Sequence, residues 1–266
     1  WPLPSMAPLA LSLALLAMAV ATVTTETRPL DMSPSSFDDQ YQNCVPAMTA
    51  ALPALNQSEF QNNPDFAQAW AKAVAAWQSQ SSSMSPLSPE QAIALMAYTM
   101  KDTKLYKNFN AAVRTAGSSP QEYRNNFQYK TLHFLLTQAV LKLREAQGQK
   151  CHDVFRGSPD KFETQTGQEV RFGQFASTSV DRAVAEGYGT GTVFEVHTCH
   201  GVDIQAFSYD PKEHEVLIPP FETFKVTDVS QEGDKARIQL RSEKTYSKYS
   251  CEWLRGDNTG DSTGDI

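Results

Sequence analysis

The sequence predicts an α+β fold, and two observations carry the prediction. Apolar residues recur at helical spacing as far as Gly148, and beyond it the chain turns to short runs rich in Val, Phe, Ile and Thr, separated by Gly, Asp and Pro. Helices first and strands second fit segregated layers rather than alternating βαβ units. No internal repeat with a period of roughly 20 to 50 residues competes with this reading.

The first helix is expected from Asp65 to Gln80, where Phe66, Ala69, Trp70, Ala73, Val74 and Trp77 form one stripe behind an Asn63-Pro64-Asp65 start signal. Ser88-Pro89-Glu90-Gln91 opens a second, with Pro89 at the tolerated first position and Ile93, Leu95, Met96 and Tyr98 following. Leu105 to Thr115 is helical as well. Ser119-Pro120-Gln121-Glu122 opens a longer helix that Phe127, Leu132, Leu135, Leu136, Val140 and Leu143 extend towards Gly148. Strands are expected at His152 to Arg156, Thr192 to Thr198, Val202 to Phe207, Glu215 to Ile218, Thr223 to Val229 and Ala236 to Leu240.

With 266 residues, 41% hydrophobic and 20% charged, the chain can bury the core of one globular domain. A net charge of −7 gives no electrostatic footprint for nucleic acid, so no such partner is expected. From Met6 an apolar stretch ends in the small residues Ala19-Val20-Ala21, the pattern of a secretory signal peptide over residues 1–21. A linker at 22–35 and a polar tail at 255–266 complete the expected organisation. The tail offers no apolar segment for a lipid anchor, so a secreted monomer without a stable membrane anchor is expected. Asn56-Gln57-Ser58 is a glycosylation sequon, which predicts a surface loop there.

Cys44, Cys151, Cys199 and Cys251 form an even set, which in an exported chain favours disulfides, with three pairings open. Cys151-His152 and Cys199-His200 suggest a metal site instead. Adjacent residues on a strand point to opposite faces, however, so neither dipeptide readily aims both ligands at one ion, and no metal is expected.

The residues that carry chemistry lie in the strand half. Glu213-His214-Glu215 sets two carboxylates two residues apart at the mouth of an apolar run. Two residues is the strand repeat, so both are expected on one face, where like charges repel and each resists losing water. Val154-Phe155-Arg156-Gly157 and Phe172-Gly173-Gln174-Phe175-Ala176-Ser177-Thr178-Ser179 precede them. Gly187-Tyr188-Gly189-Thr190-Gly191 lacks the spacing of a dinucleotide loop and reads as a turn.

In this order the three segments resemble the Arg, Ser-Thr-Ser, Glu-x-Glu signature of the arginine-modifying, toxin-like ADP-ribosyltransferases. Ser36-Phe37-Asp38-Asp39-Gln40-Tyr41, Leu132-His133-Phe134-Leu135-Leu136-Thr137 and Glu215-Val216-Leu217-Ile218-Pro219-Pro220-Phe221-Glu222 are similar to the vertebrate ecto-enzymes of that family, and the resemblance runs from about Ser36 to about Trp253, within an expected catalytic domain at 36–254. It implies a split, strand-rich cleft for NAD behind a helical subdomain, with NAD as ADP-ribose donor substrate, arginine-bearing proteins as acceptors and nicotinamide as leaving group.

By family position, Glu215 stabilises the electron-poor sugar, Ser177 orients Glu215, Arg156 binds the donor, and Glu213 orients and deprotonates the acceptor guanidinium. The resemblance also implies donor contacts at Tyr98, Gln174 and Ser208, and the pairs Cys44 with Cys251 and Cys151 with Cys199. The same Glu215 and Ser177 would serve an NAD glycohydrolase, in which water takes the sugar, and a binding module with a decayed site would keep the fold alone.

Overall fold

A computed structural model describes residues 27–79, 85–233 and 235–255. The expected signal peptide and the tail beyond Arg255 lie outside the described residues. Helices α1 (Val45–Asn62), α2 (Pro64–Ser79), α3 (Pro89–Thr99), α4 (Leu105–Ala116), α5 (Pro120–Asn126) and α6 (Lys130–Ala146) make one layer. Strand β1 (Thr27–Pro29) precedes them. After them come β2 (His152–Ser158), β3 (Lys161–Glu163), β4 (Glu169–Val170), β5 (Ala176–Ser179), the short α7 (Arg182–Glu186), β6 (Thr192–Thr198), β7 (Val202–Asp203), β8 (Glu215–Ile218), β9 (Glu222–Glu232), β10 (Lys235–Thr245) and α8 (Glu252–Arg255).

Among the described residues, eight strands form one sheet in the order β4-β9-β10-β6-β2-β5-β8-β7. Its two halves meet at a single weak seam. β2 pairs with β6 along seven residues but with β5 only through Phe155 and Ser179. The sheet therefore splits between the strand that carries Arg156 and the strand that carries Ser177. A helical core around Phe109, Leu136 and Phe175, with the buried His133 ring packed on Phe175, reaches across to Leu217, while Val154, Phe194, Val216, Phe224 and Ile238 form a second core on the sheet.

Several expectations change. The helix opened by Ser119 does not run on to Gly148; it stops at Asn126, and α6 starts afresh at Lys130. The cause is remote in sequence. The buried Glu59 carboxylate accepts the N–H groups of Lys130 at 2.5 Å and Thr131 at 3.0 Å, so it caps α6 from α1. α1 itself carries no clean apolar stripe, burying only Met48, Leu55 and Glu59, and it includes Pro53. Asn56 lies in the middle of α1 rather than in a surface loop, half-buried, and its Oδ1 is shut from solvent without a partner among the described residues.

The strand expected at Val202 to Phe207 ends at Asp203, whose carboxylate turns the chain by accepting Gln205 N at 2.8 Å. Residues 27–35 of the expected linker belong to the fold: β1 pairs in parallel with β3, and Met32 O accepts from Arg171 Nε at 2.6 Å. That arginine is a hub, buried and bonded to Asp38 Oδ2 at 2.6 Å. Asp38 in turn accepts Lys248 N at 2.8 Å and Tyr249 N at 3.0 Å, joining both ends of the domain. Disulfides Cys44–Cys251 and Cys151–Cys199 fasten the same ends and the β2–β6 pair. Among the described residues, the one cluster with metal-ligand spacing is Cys151, His197 and Cys199, and both its sulfurs are committed to the disulfide.

Candidate active site

The site forms where the seam of the sheet faces the helical layer. β5 and β8 run antiparallel with Ser179 opposite Glu215 and Ser177 opposite Leu217. Alternation then puts Ser177, Ser179 and Glu215 on one face, with Ser177 diagonal to Glu215. The three hydroxyls of β5 divide the work. Ser177 bonds the Glu215 carboxylate, Thr178 donates to Val216 O at 2.6 Å, and Ser179 donates to Glu213 O at 2.7 Å.

Glu213 does not lie on the strand, so the period-two argument for the carboxylate pair fails in its cause. Pro211–Glu213 is a single 3-10 turn capped by Asp210, and His214 at φ 47° reverses the chain before β8 starts at Glu215. The two carboxylates still interact, because Glu213 is among the charges that raise the pKa of Glu215. What brings them together is a left-handed residue, not a pleat.

Glu215 is 4% exposed. Burial pushes its carboxyl up to about 7, against hydrogen bonds from Ser177 and Ser208 and the nearby Arg156 guanidinium, with Glu213 adding to the rise. Arg156 crosses the seam: Nη1 donates to Ser177 O at 2.6 Å and Nη2 to Tyr106 Oη at 3.4 Å. It therefore ties the two half-sheets together at the point where they are least paired.

Tyr98 has no exposed surface, and its hydroxyl donates to Phe175 O at 3.0 Å while accepting from Asn110 Nδ2 at 3.1 Å. Tyr98 thus supports β5 from the helical core. Ser208 is also buried; its hydroxyl exchanges hydrogen bonds with the Asp210 backbone and lies near enough to Glu215 to favour its charge. Gln174 is half-buried and accepts from Arg114 Nη1.

Three side chains at the site were not legible in the sequence. Tyr188 is 54% exposed and donates its hydroxyl to Glu213 Oε1, and Lys101 Nζ meets the same oxygen at 2.6 Å. Tyr106 reaches Arg156 from α4. Tyr188 is held by glycines: at Gly157 a Cβ would lie 2.2 Å from Ala185 O, and at Gly189, with φ +136°, 2.3 Å from Pro159 N. The expected turn thus sets its tyrosine against Glu213.

Comparisons with known proteins identify the family and the fold. The family model for NAD:arginine ADP-ribosyltransferase matches residues 30–248. The erythroblast NAD(P)(+)–arginine ADP-ribosyltransferase of Gallus gallus is 48% identical over 230 residues, covering 85% of this chain and 76% of that protein. The GPI-linked NAD(P)(+)–arginine ADP-ribosyltransferase 1 of Homo sapiens is 44% identical over 244 residues, covering 85% and 74%. Among solved structures, the eukaryotic mono-ADP-ribosyltransferase ART2.2 superimposes with a TM-score of 0.71 at 34% identity, over 84% of this chain and 98% of that one. Variants of ART2.2 have been solved in complex with NADH and with NAD. The chain belongs to the NAD:arginine ADP-ribosyltransferase family, enzymes that take NAD as donor substrate and transfer ADP-ribose to arginine.

Proposed function

We propose that Glu215, Ser177 and Arg156 carry the donor half of the reaction and Glu213 the acceptor half, with protein arginines as acceptors. The observation that carries this reading is the condition of Glu215: a buried carboxylate, raised to about 7, beside Arg156 at the open seam of the sheet. Such a group fits NAD, because the nicotinamide ring is cationic and cleavage of its bond to ribose builds positive charge on the sugar. Glu215 is poised to answer that charge, and the arrival of a cation favours its ionised form. Arg156, held by Ser177 O and Tyr106, is placed to meet the anionic part of the donor. Gln174, half-buried and bonded to Arg114, is a further donor contact in this reading.

Glu213 is more accessible, with 17% of its side chain exposed, and its backbone is fixed by Ser179. It can accept a guanidinium from solvent and take its proton as the new bond forms. Glu213→Gln is therefore expected to suppress transfer to a free guanidine acceptor while sparing much of the NAD hydrolysis. The assay follows labelled NAD into modified acceptor and free ADP-ribose. An equal fall in both products would move Glu213 to the donor side and remove the acceptor assignment.

The place of action we propose is the extracellular face of the cell or the secretory lumen. Two disulfides suit an oxidising compartment, and relatives at 44% and 39% identity are named GPI-linked and ecto-enzymes. Fractionation of secreting cells tests this: protein in the medium or on the outer surface fits, and a cytosolic pool with reduced cysteines overturns it.

A further inference from the structure

Lys101 lies just beyond α3, outside the signature residues, yet its ammonium is at the centre of the acceptor side. Nζ is 2.6 Å from Glu213 Oε1 and 3.3 Å from Asp210 Oδ2, and it lies 5.9 Å from the centre of the Tyr188 ring. Two carboxylates and an aromatic face are the surroundings that a guanidinium prefers. The loop that carries Lys101 is latched to the acidic turn, since Thr99 Oγ1 accepts Tyr209 N at 2.9 Å. Lys101 is nonetheless half exposed, at 52%, so its side chain can swing out without opening the core.

We propose that Lys101 is an internal stand-in for the acceptor: its ammonium occupies the place on Glu213 that an arginine guanidinium takes, and an acceptor binds by displacing it. The inference rests on Glu213 being the acceptor carboxylate. Exchange of one cation for another explains how a carboxylate can wait beside a second acid without leaving the site open to any passing base. It also favours arginine over lysine as the incoming group. A guanidinium can engage Glu213 through two parallel N–H bonds, whereas a lysine would exchange one point charge for an equal one. The hydrogen bond to Glu213 raises the pKa of Lys101, and a lysine freed from it is still protonated at neutral pH, so the displaced group is an ammonium and carries no lone pair into the reaction.

A supporting ion pair and a competing one predict opposite outcomes. Lys101→Met keeps the apolar stem and removes the charge. If Lys101 competes, the KM for a free guanidine acceptor falls about twofold to fivefold, the range of an exposed ion pair. Lys101→Arg, with a fork that grips Glu213 better, raises that KM. Lys72→Met, which removes the same charge from the nearby exposed pair with Asp102, is the control for long-range attraction of cations. An acceptor KM that is unchanged or higher in Lys101→Met, or that falls equally in Lys72→Met, overturns the proposal.

The Glu213→Gln background separates this failure from failure of the underlying reading. There the Lys101→Met effect on acceptor KM should vanish. If Glu213→Gln loses transfer selectively while Lys101→Met does nothing in the wild type, Glu213 keeps its role and the stand-in alone is wrong. If Glu213→Gln lowers transfer and hydrolysis together, the assignment of Glu213 falls and takes this inference with it.

Discussion

Asp38 and Glu215 are both buried carboxylates beside an arginine, and the chain treats them in opposite ways. Around Asp38 every charge is answered: Arg171 donates to it directly and to the carbonyls of Met32 and Ser33, while two backbone N–H groups fill the remaining oxygen positions. Around Glu215 the answer is partial. Two serine hydroxyls and Arg156 favour its charge, burial and Glu213 oppose it, and the opposing side prevails. A satisfied buried pair holds the two ends of the domain together. An unsatisfied one is a place where a cationic substrate gains more than water can offer.

The sharpest break of this comparison is Glu215→Gln, which keeps shape and removes charge. Nicotinamide release and arginine transfer are both expected to fall by about a thousandfold or more, roughly 4 kcal/mol of barrier. Near-normal turnover would remove Glu215 from the reaction. Asp38→Asn comes next and acts on the fold, not the chemistry. Leaving Arg171 buried without its counter-charge should lower unfolding stability by roughly 3 kcal/mol or more, read by denaturant midpoint. A loss under about 1 kcal/mol would mean that the carbonyl bonds suffice for Arg171.

The same Glu215→Gln variant has a smaller, opposite effect on stability. The folded carboxyl titrates near 7 against an ordinary 4.5, so between these values the folded state holds more protons than the unfolded one, and stability falls as pH rises. Well above pH 7 the wild type carries the whole penalty, on the order of 3 kcal/mol. Glu215→Gln should therefore be the more stable protein at pH 8, with the advantage shrinking to nothing by about pH 4. Equal melting curves at both pH values would mean that the carboxylate is better satisfied than its surroundings indicate.

How much of this was legible in the sequence depends on how far apart the causes lie. α2 and α3 follow from apolar period and start signals within a few residues, α4 from its apolar residues alone, and β6 and β8 match the expected bounds because each is a short run rich in strand-forming residues between turns. α1 was invisible, since its buried side includes Glu59 and its turn includes Pro53. The break before α6 was invisible too, because the group that caps Lys130 stands 71 positions earlier. At the site, Arg156, Ser177, Glu213 and Glu215 were found through the resemblance of three segments in order to a family signature, and in the structure Ser177, Arg156 and Glu213 all act on Glu215. Lys101 and Tyr188 carry no local signal: a surface lysine and a tyrosine between glycines become informative only when folding sets them against Glu213.

Ser177→Ala gives the finest test of the contrast between the two carboxylates. Removing this hydroxyl takes away one of the two serine bonds that hold the Glu215 carboxyl down, and leaves burial and Glu213 unopposed to that extent. The free-enzyme pKa should then rise above about 7, by roughly one unit for a hydrogen bond to a charged group. Because the ionised form reacts, kcat/KM for NAD should fall with decreasing pH along an acid limb that bends near 7 in the wild type and about one unit higher in the variant. The deficit of the variant should accordingly be largest at pH 6 and shrink by pH 9. A loss that is uniform across that range would make Ser177 a contact to the donor, not an orienting partner of Glu215, and would leave the carboxylate's charge to Ser208 and Arg156.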